Sequence, residues 1–104
     1  MKVLHLTLKK KWFDMIASGE KKEEYREIKP FWIKRLTPAN NAFDDCKEFY
    51  AVEFVNGGNF HDKHPKILVE CLDIEIGTGK PEWGAEPDKE YFVIKLGNLL
   101  NTKQ

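Results

Sequence analysis

Six charged side chains crowd into the nine residues from Ser18 to Arg26, Ser-Gly-Glu-Lys-Lys-Glu-Glu-Tyr-Arg, even with Tyr25 set aside. Lys21, Lys22 and Arg26 could together hold a phosphate or a base edge, since arginine supplies a planar fork and lysine a point charge. Glu24 could neutralise Lys21 or act as a base on water, and Tyr25 offers a ring on which a base could stack. A solvated loop is the competing reading, because neighbouring opposite charges can satisfy one another. Geometry is the constraint. In an extended chain Lys22, Glu24, Arg26 and Ile28 share one side, and Lys21, Glu23, Tyr25 and Glu27 the other. Lys21 and Arg26 therefore meet only if the chain turns or bulges between them.

Other candidates are scattered. His5 stands on the polar face of an alternating strand, as a structural histidine or as the wall of a cleft. Trp83 is either a plug over a barrel or a stacking surface. His61-Asp62-Lys63-His64 sets two histidines three apart with a carboxylate between them, but no further ligand cluster supports a site, so no metal is expected. Gly77-Thr78-Gly79 lacks the spacing of a phosphate loop, and no cofactor is implied.

The elements that must position these residues follow from apolar spacing. Val3 to Leu8 alternates, with Leu4, Leu6 and Leu8 on one face. Trp12, Phe13, Ile16 and Ala17, extended by Met15, form one stripe of a helix that stops at Gly19, a residue suited to a left-handed exit. Glu23 to Ile28 reads as a strand. Pro30 suits a first helical turn, with Phe31, Trp32, Ile33 and Leu36 as the buried face and Lys34 and Arg35 outside. Ala39 to Lys47 reads as loop. Strands are predicted over 48–55, 66–76 and 91–96, with Asn56-Gly57-Gly58-Asn59 as a turn, 60–65 as loop, 80–87 as a Pro-bounded extended connection and Leu99-Leu100 as a last edge. Most connections are too short for parallel crossovers, so the expected fold is α+β, a small barrel of five to six mostly antiparallel strands with two short helices.

With 104 residues, 41% apolar and 12% aromatic, the chain is expected to be one packed domain rather than disordered. No apolar run approaches a membrane span, no secretory signal is visible, and Cys46 and Cys71 are most simply reduced thiols, so a cytoplasmic protein is expected. The formal net charge of zero argues against indiscriminate polyanion binding. It is unevenly spread: residues 1–36 hold ten Lys or Arg against five Asp or Glu, and the remainder seven against twelve. One basic surface facing an anionic partner and two halves pairing with each other both fit.

The ordered set of segments resembles the ASCH domain family, within the PUA-like superfamily of RNA-associated barrels. The residues that carry the likeness are Val3 to Leu8, the Trp12–Ser18 helix, and Gly19, Lys21 and Arg26 as a Gly-x-Lys-x-x-x-x-Arg element. Pro30 to Leu36, Gly79 to Gly84 and Tyr91 to Leu96 extend it over nearly the whole chain. The resemblance implies a barrel with a cleft beside the first helix, lined by Lys21 and Arg26, and RNA or a nucleotide or modified nucleoside as partner. Some small bacterial members of the family hydrolyse N4-acetylcytidine, the motif lysine activating a threonine three residues later and a glutamate completing the set. Here that position is Glu24. The alternative function implied is thus an amidohydrolase with a non-standard pair, Lys21 and Glu24 assisting water. A protein-docking role for the basic half is a third possibility.

Overall fold

The computed structural model describes residues 2–38, 47–57 and 65–103. Five strands and two helices alternate as β1 (Val3–Leu8), α1 (Lys10–Ala17), β2 (Glu23–Glu27), α2 (Pro30–Leu36), β3 (Ala51–Asn56), β4 (Lys66–Thr78) and β5 (Glu90–Lys103). The strands form one curled, half-barrel sheet in the order β1-β3-β4-β5-β2. Only β1 and β3 run parallel; the other three pairings are antiparallel. The α+β class and mostly antiparallel sheet match the expectation from sequence. Strand order does not follow chain order at the ends, so β1 and β2 become the two edges although α1 alone separates them.

Curling has a local cause. β4 and β5 are 13 and 14 residues long, and their register shifts between Leu68 and Asp73. Such irregularities bend and twist a strand pair, which lets two long strands wrap rather than stay flat. Leu4, Leu6 and Leu8 of β1 point into the hollow so made, as their alternation requires. Val52, Phe54, Phe92, Ile94 and Leu36 of α2 are wholly buried there, and Phe13 and Ile16 close it from α1.

α1 ends as its sequence predicts. The Ser18 and Gly19 amides donate to the Asp14 and Ile16 carbonyls, both at 3.0 Å, and Gly19 adopts φ +87°. That left-handed turn reverses the chain, and the Lys21 amide donates back to the Met15 carbonyl at 2.9 Å. α2 begins at Pro30, whose missing N–H costs nothing in a first turn, and closes where Thr37 Oγ1 donates to the Ile33 carbonyl at 2.6 Å.

Several expectations need correction. Phe31 is not on the buried face of α2 but 54% exposed. The segment 91–96 is the first half of a longer strand that includes Leu99 and Leu100, and it lies inside the sheet between β4 and β2. The connection after Gly79 contains a short 3₁₀ turn, Pro81–Trp83, closed by Gly84 at φ +102°. Most of the predicted loops 39–47 and 60–65 and half of the predicted turn 56–59, with Cys46, His61, Asp62 and His64, lie outside the described residues. Among the described residues no helix is long and apolar enough to cross a membrane.

Candidate functional site

The turn at Gly19 decides where Lys21 goes. Because Lys21 precedes the first strand residue, Glu23, it escapes the alternation that would set it opposite Glu24 and Arg26. Its side chain folds inward, wholly buried, and Nζ lies 2.8 Å from Glu24 Oε1 while also donating to the Glu23 carbonyl. Glu24 and Arg26, two apart on β2, share the inner face. Arg26 Nη2 donates to Glu24 Oε2 at 2.9 Å. One buried carboxylate is thus gripped by both cations, one on each oxygen.

Arg26 has a second task. Its Nη2 also lies 3.2 Å from the Thr7 carbonyl, so a side chain of one edge strand donates to the backbone of the other. Arg26 Nε is buried and has no hydrogen-bond partner among the described residues. A buried donor left unsatisfied costs about 1–3 kcal/mol, an expense that a native site usually explains.

Aromatic rings surround the cations. Lys21 Nζ sits 5.1 Å from the centre of the Tyr25 ring and 5.8 Å from that of Trp12, and the Arg26 guanidinium lies 5.1 Å from Trp32. Tyr25 is itself anchored. Its hydroxyl donates to Glu23 Oε1 at 2.7 Å and accepts from the Lys80 amide at 2.9 Å. Gly79 leaves the space its ring needs, for a Cβ there would stand 2.6 Å from ring carbons. Gly84 does the same for Trp12, at 3.0 Å.

Burial sets the proton chemistry. Desolvation pushes the Lys21 ammonium below the usual lysine value, with Glu24 pulling the other way. Desolvation likewise raises the Tyr25 phenol well above the ordinary tyrosine range, helped by Glu23 and opposed by the Lys80 amide. Lys21 thus combines a depressed value with a charged partner in reach.

Of the residues singled out from sequence, Lys21, Glu24, Tyr25 and Arg26 come together. Lys22 does not join them; it is exposed and lines, with Lys21, a separate cleft of about 200 Å³ against Gly97, Asn98 and Leu99. His5 points outward from β1 with Nδ1 3.0 Å from Glu53 Oε1. The parallel register places those two residues opposite each other. Trp83 is half-buried beneath Lys80, whose Nζ is 4.5 Å from its ring centre. Trp12, Trp32 and the Thr7 carbonyl were not visible as site groups in the sequence. Trp12 and Trp32 read there as core, and only their half-exposed positions beside the cations distinguish them. Among the described residues, no group of three or more His, Cys, Asp or Glu is placed to hold a metal ion. No family model, curated protein or solved structure matches this chain.

Proposed function

We propose that the chain is an ASCH-type, PUA-like domain that binds RNA or a modified nucleoside at the Lys21–Glu24–Arg26 cluster. The observation that carries this reading is the shared carboxylate. Lys21 and Arg26 meet on the Glu24 carboxylate among the rings of Trp12, Tyr25 and Trp32, with the Glu23 carboxylate engaged by the Tyr25 hydroxyl. That combination suits a ligand with one phosphate, or a polar base edge, attached to a flat ring. The unpartnered Arg26 Nε is a donor that an acceptor on such a ligand would satisfy. A cytoplasmic location fits an RNA partner. Titrating fluorescently labelled tRNA at rising salt tests the proposal. Binding at low salt that declines with salt, and weakens in Arg26→Gln, is expected. Absent affinity at low salt, or affinity unchanged in Arg26→Gln and Lys21→Ala, counts against it.

One observation favours a second reading, hydrolysis of an acylated pyrimidine nucleoside. The depressed Lys21 is more readily a proton acceptor than an ordinary lysine. Water would add to the amide carbonyl, and the C–N bond would break to give the amine and acetate. In its neutral form Lys21, held by Glu24, would take the proton from water and hand it to the leaving amine. Following N4-acetylcytidine absorbance tests this, and turnover no faster than in Lys21→Ala dismisses it.

A further inference from the structure

The exposed Phe31 is the clue to a second surface. Phe31, Lys34 and Arg35 stand at i, i+3 and i+4 of α2, so they share one face of that helix, and all three are exposed. The Arg35 guanidinium lies 3.6 Å from the centre of the Phe31 ring, and its Nη1 donates to the Phe31 carbonyl at 3.2 Å. Phe31 in turn meets Trp32 edge-on, with ring centres 4.8 Å apart at 80°. These side chains wall a groove of about 590 Å³ between α2 and the start of β1, whose other cations are Lys2 and Lys47. The volume falls within the roughly 300–1,000 Å³ of ligand clefts. Among the described residues none of Lys2, Lys34, Arg35 and Lys47 is paired with a carboxylate. Trp32 belongs both to this groove and to the surroundings of Arg26, so the two sites adjoin.

We infer that this groove is a track for a single-stranded polynucleotide, with bases stacking on the Phe31–Arg35 platform and phosphates running past Lys2, Lys34 and Lys47. The chemistry is that of sequence-tolerant strand binding: cations spaced along a channel, interleaved with flat groups that accept any base. An arginine held over a ring offers its own planar face to a base as well. The inference extends the proposed RNA reading from a single nucleoside to a strand, and it stands on different residues.

Fluorescence anisotropy with a labelled oligo(U) of roughly twelve nucleotides, across a salt series, tests it. Phe31→Ala is expected to weaken binding by roughly 5- to 100-fold, the range for removal of one stacked base. Lys34→Glu with Arg35→Glu is expected to make the salt slope shallower by about 0.7 for each phosphate no longer neutralised. Unchanged thermal melts establish that these exposed substitutions leave the fold intact. Oligonucleotide binding equal to wild type in both variants overturns the inference. If Arg26→Gln alone then abolishes binding, the cluster reading survives without the track. Weakened binding in the α2 variants with full binding in Arg26→Gln supports a track that works without the cluster. A duplex of the same length binding as tightly as the single strand also overturns the inference, because a duplex cannot offer its bases for stacking. Failure of wild-type protein to bind oligo(U) at low salt overturns the inference and leaves the cluster reading to the tRNA titration.

Discussion

Glu24 and its two cations form the part of the molecule most sensitive to a single substitution. Lys21 is among the largest wholly buried side chains, in the company of Phe54 and Phe92. An ammonium in that company is tolerable only while the carboxylate is beside it. Removing one partner of a buried ion pair typically costs about 3–5 kcal/mol, because the other charge is left uncompensated. Lys21→Met and Glu24→Gln should each destabilise by about that amount in urea unfolding, and the double variant by clearly less than their sum. Additive effects would mean that the two groups do not act as a pair. At Tyr25, burial holds the phenol protonated beyond the pH at which an exposed tyrosine ionises. An alkaline absorbance titration of the folded protein should therefore show a late-titrating contribution from Tyr25 that is lost in Tyr25→Phe.

At the scale of elements, the site depends on a change of phase between a turn and a strand. The nine-residue charge run could be read as a string of ions, yet its pairing depends on where alternation begins. The strand starts at Glu23, so Glu24 and Arg26 are locked to one face, while the turn after Gly19 frees Lys21 to reach that face from outside the ladder. The connection after β4 supports the same geometry from the other side. Gly79 presses against the Tyr25 ring, with Ala85 Cβ 2.7 Å from the place its own Cβ would take, whereas Gly77 has open space. Gly79→Ala should cost about 1–3 kcal/mol through overpacking and displace Tyr25. Gly77→Ala should be near neutral. Thermal melts separate the two, at roughly 4–8 °C per kcal/mol in a domain of this size. Equal melting temperatures would show that the Tyr25 ring yields freely. α2 carries the opposite lesson: Pro30 made its start legible, but Phe31 followed the helix's charged face rather than its apolar one.

For the molecule as a whole, the sheet order puts the basic first third of the chain on both edges. β1 and β2 flank β3, β4 and β5, and the Arg26–Thr7 hydrogen bond joins those edges across the hollow. The alkaline limit of stability is a property of the whole fold too. Desolvation raises the half-buried Cys71 thiol from 9.0 to about 11. Above pH 9 the unfolded chain loses that proton while the folded one keeps it, so stability falls as pH rises from 9 towards 11. Tyr25, also raised, adds to the decline above pH 10. Lys21 is lowered, so its contribution runs the other way: the unfolded lysine holds its proton longer, and stability gains as pH rises towards 10.5. Cys71→Ala should flatten the decline between pH 9 and 11 when unfolding is followed by urea titration. A decline of the same steepness in that variant would assign it elsewhere.

Local signals located the strands, both helices and the turn at Gly19, though not where β3 starts or how long β5 runs, because apolar spacing and a glycine's freedom are properties that neighbours in sequence dictate. The inward set of Leu4, Leu6 and Leu8 follows from the same rule. Packing decided the rest. Whether Lys21 and Arg26 meet, which rings stand beside them, and that β1 pairs in parallel with β3 are facts about residues distant in sequence. No local pattern encodes them. They arise when a buried carboxylate must find its cations and a curled sheet must bring its two edges to face each other.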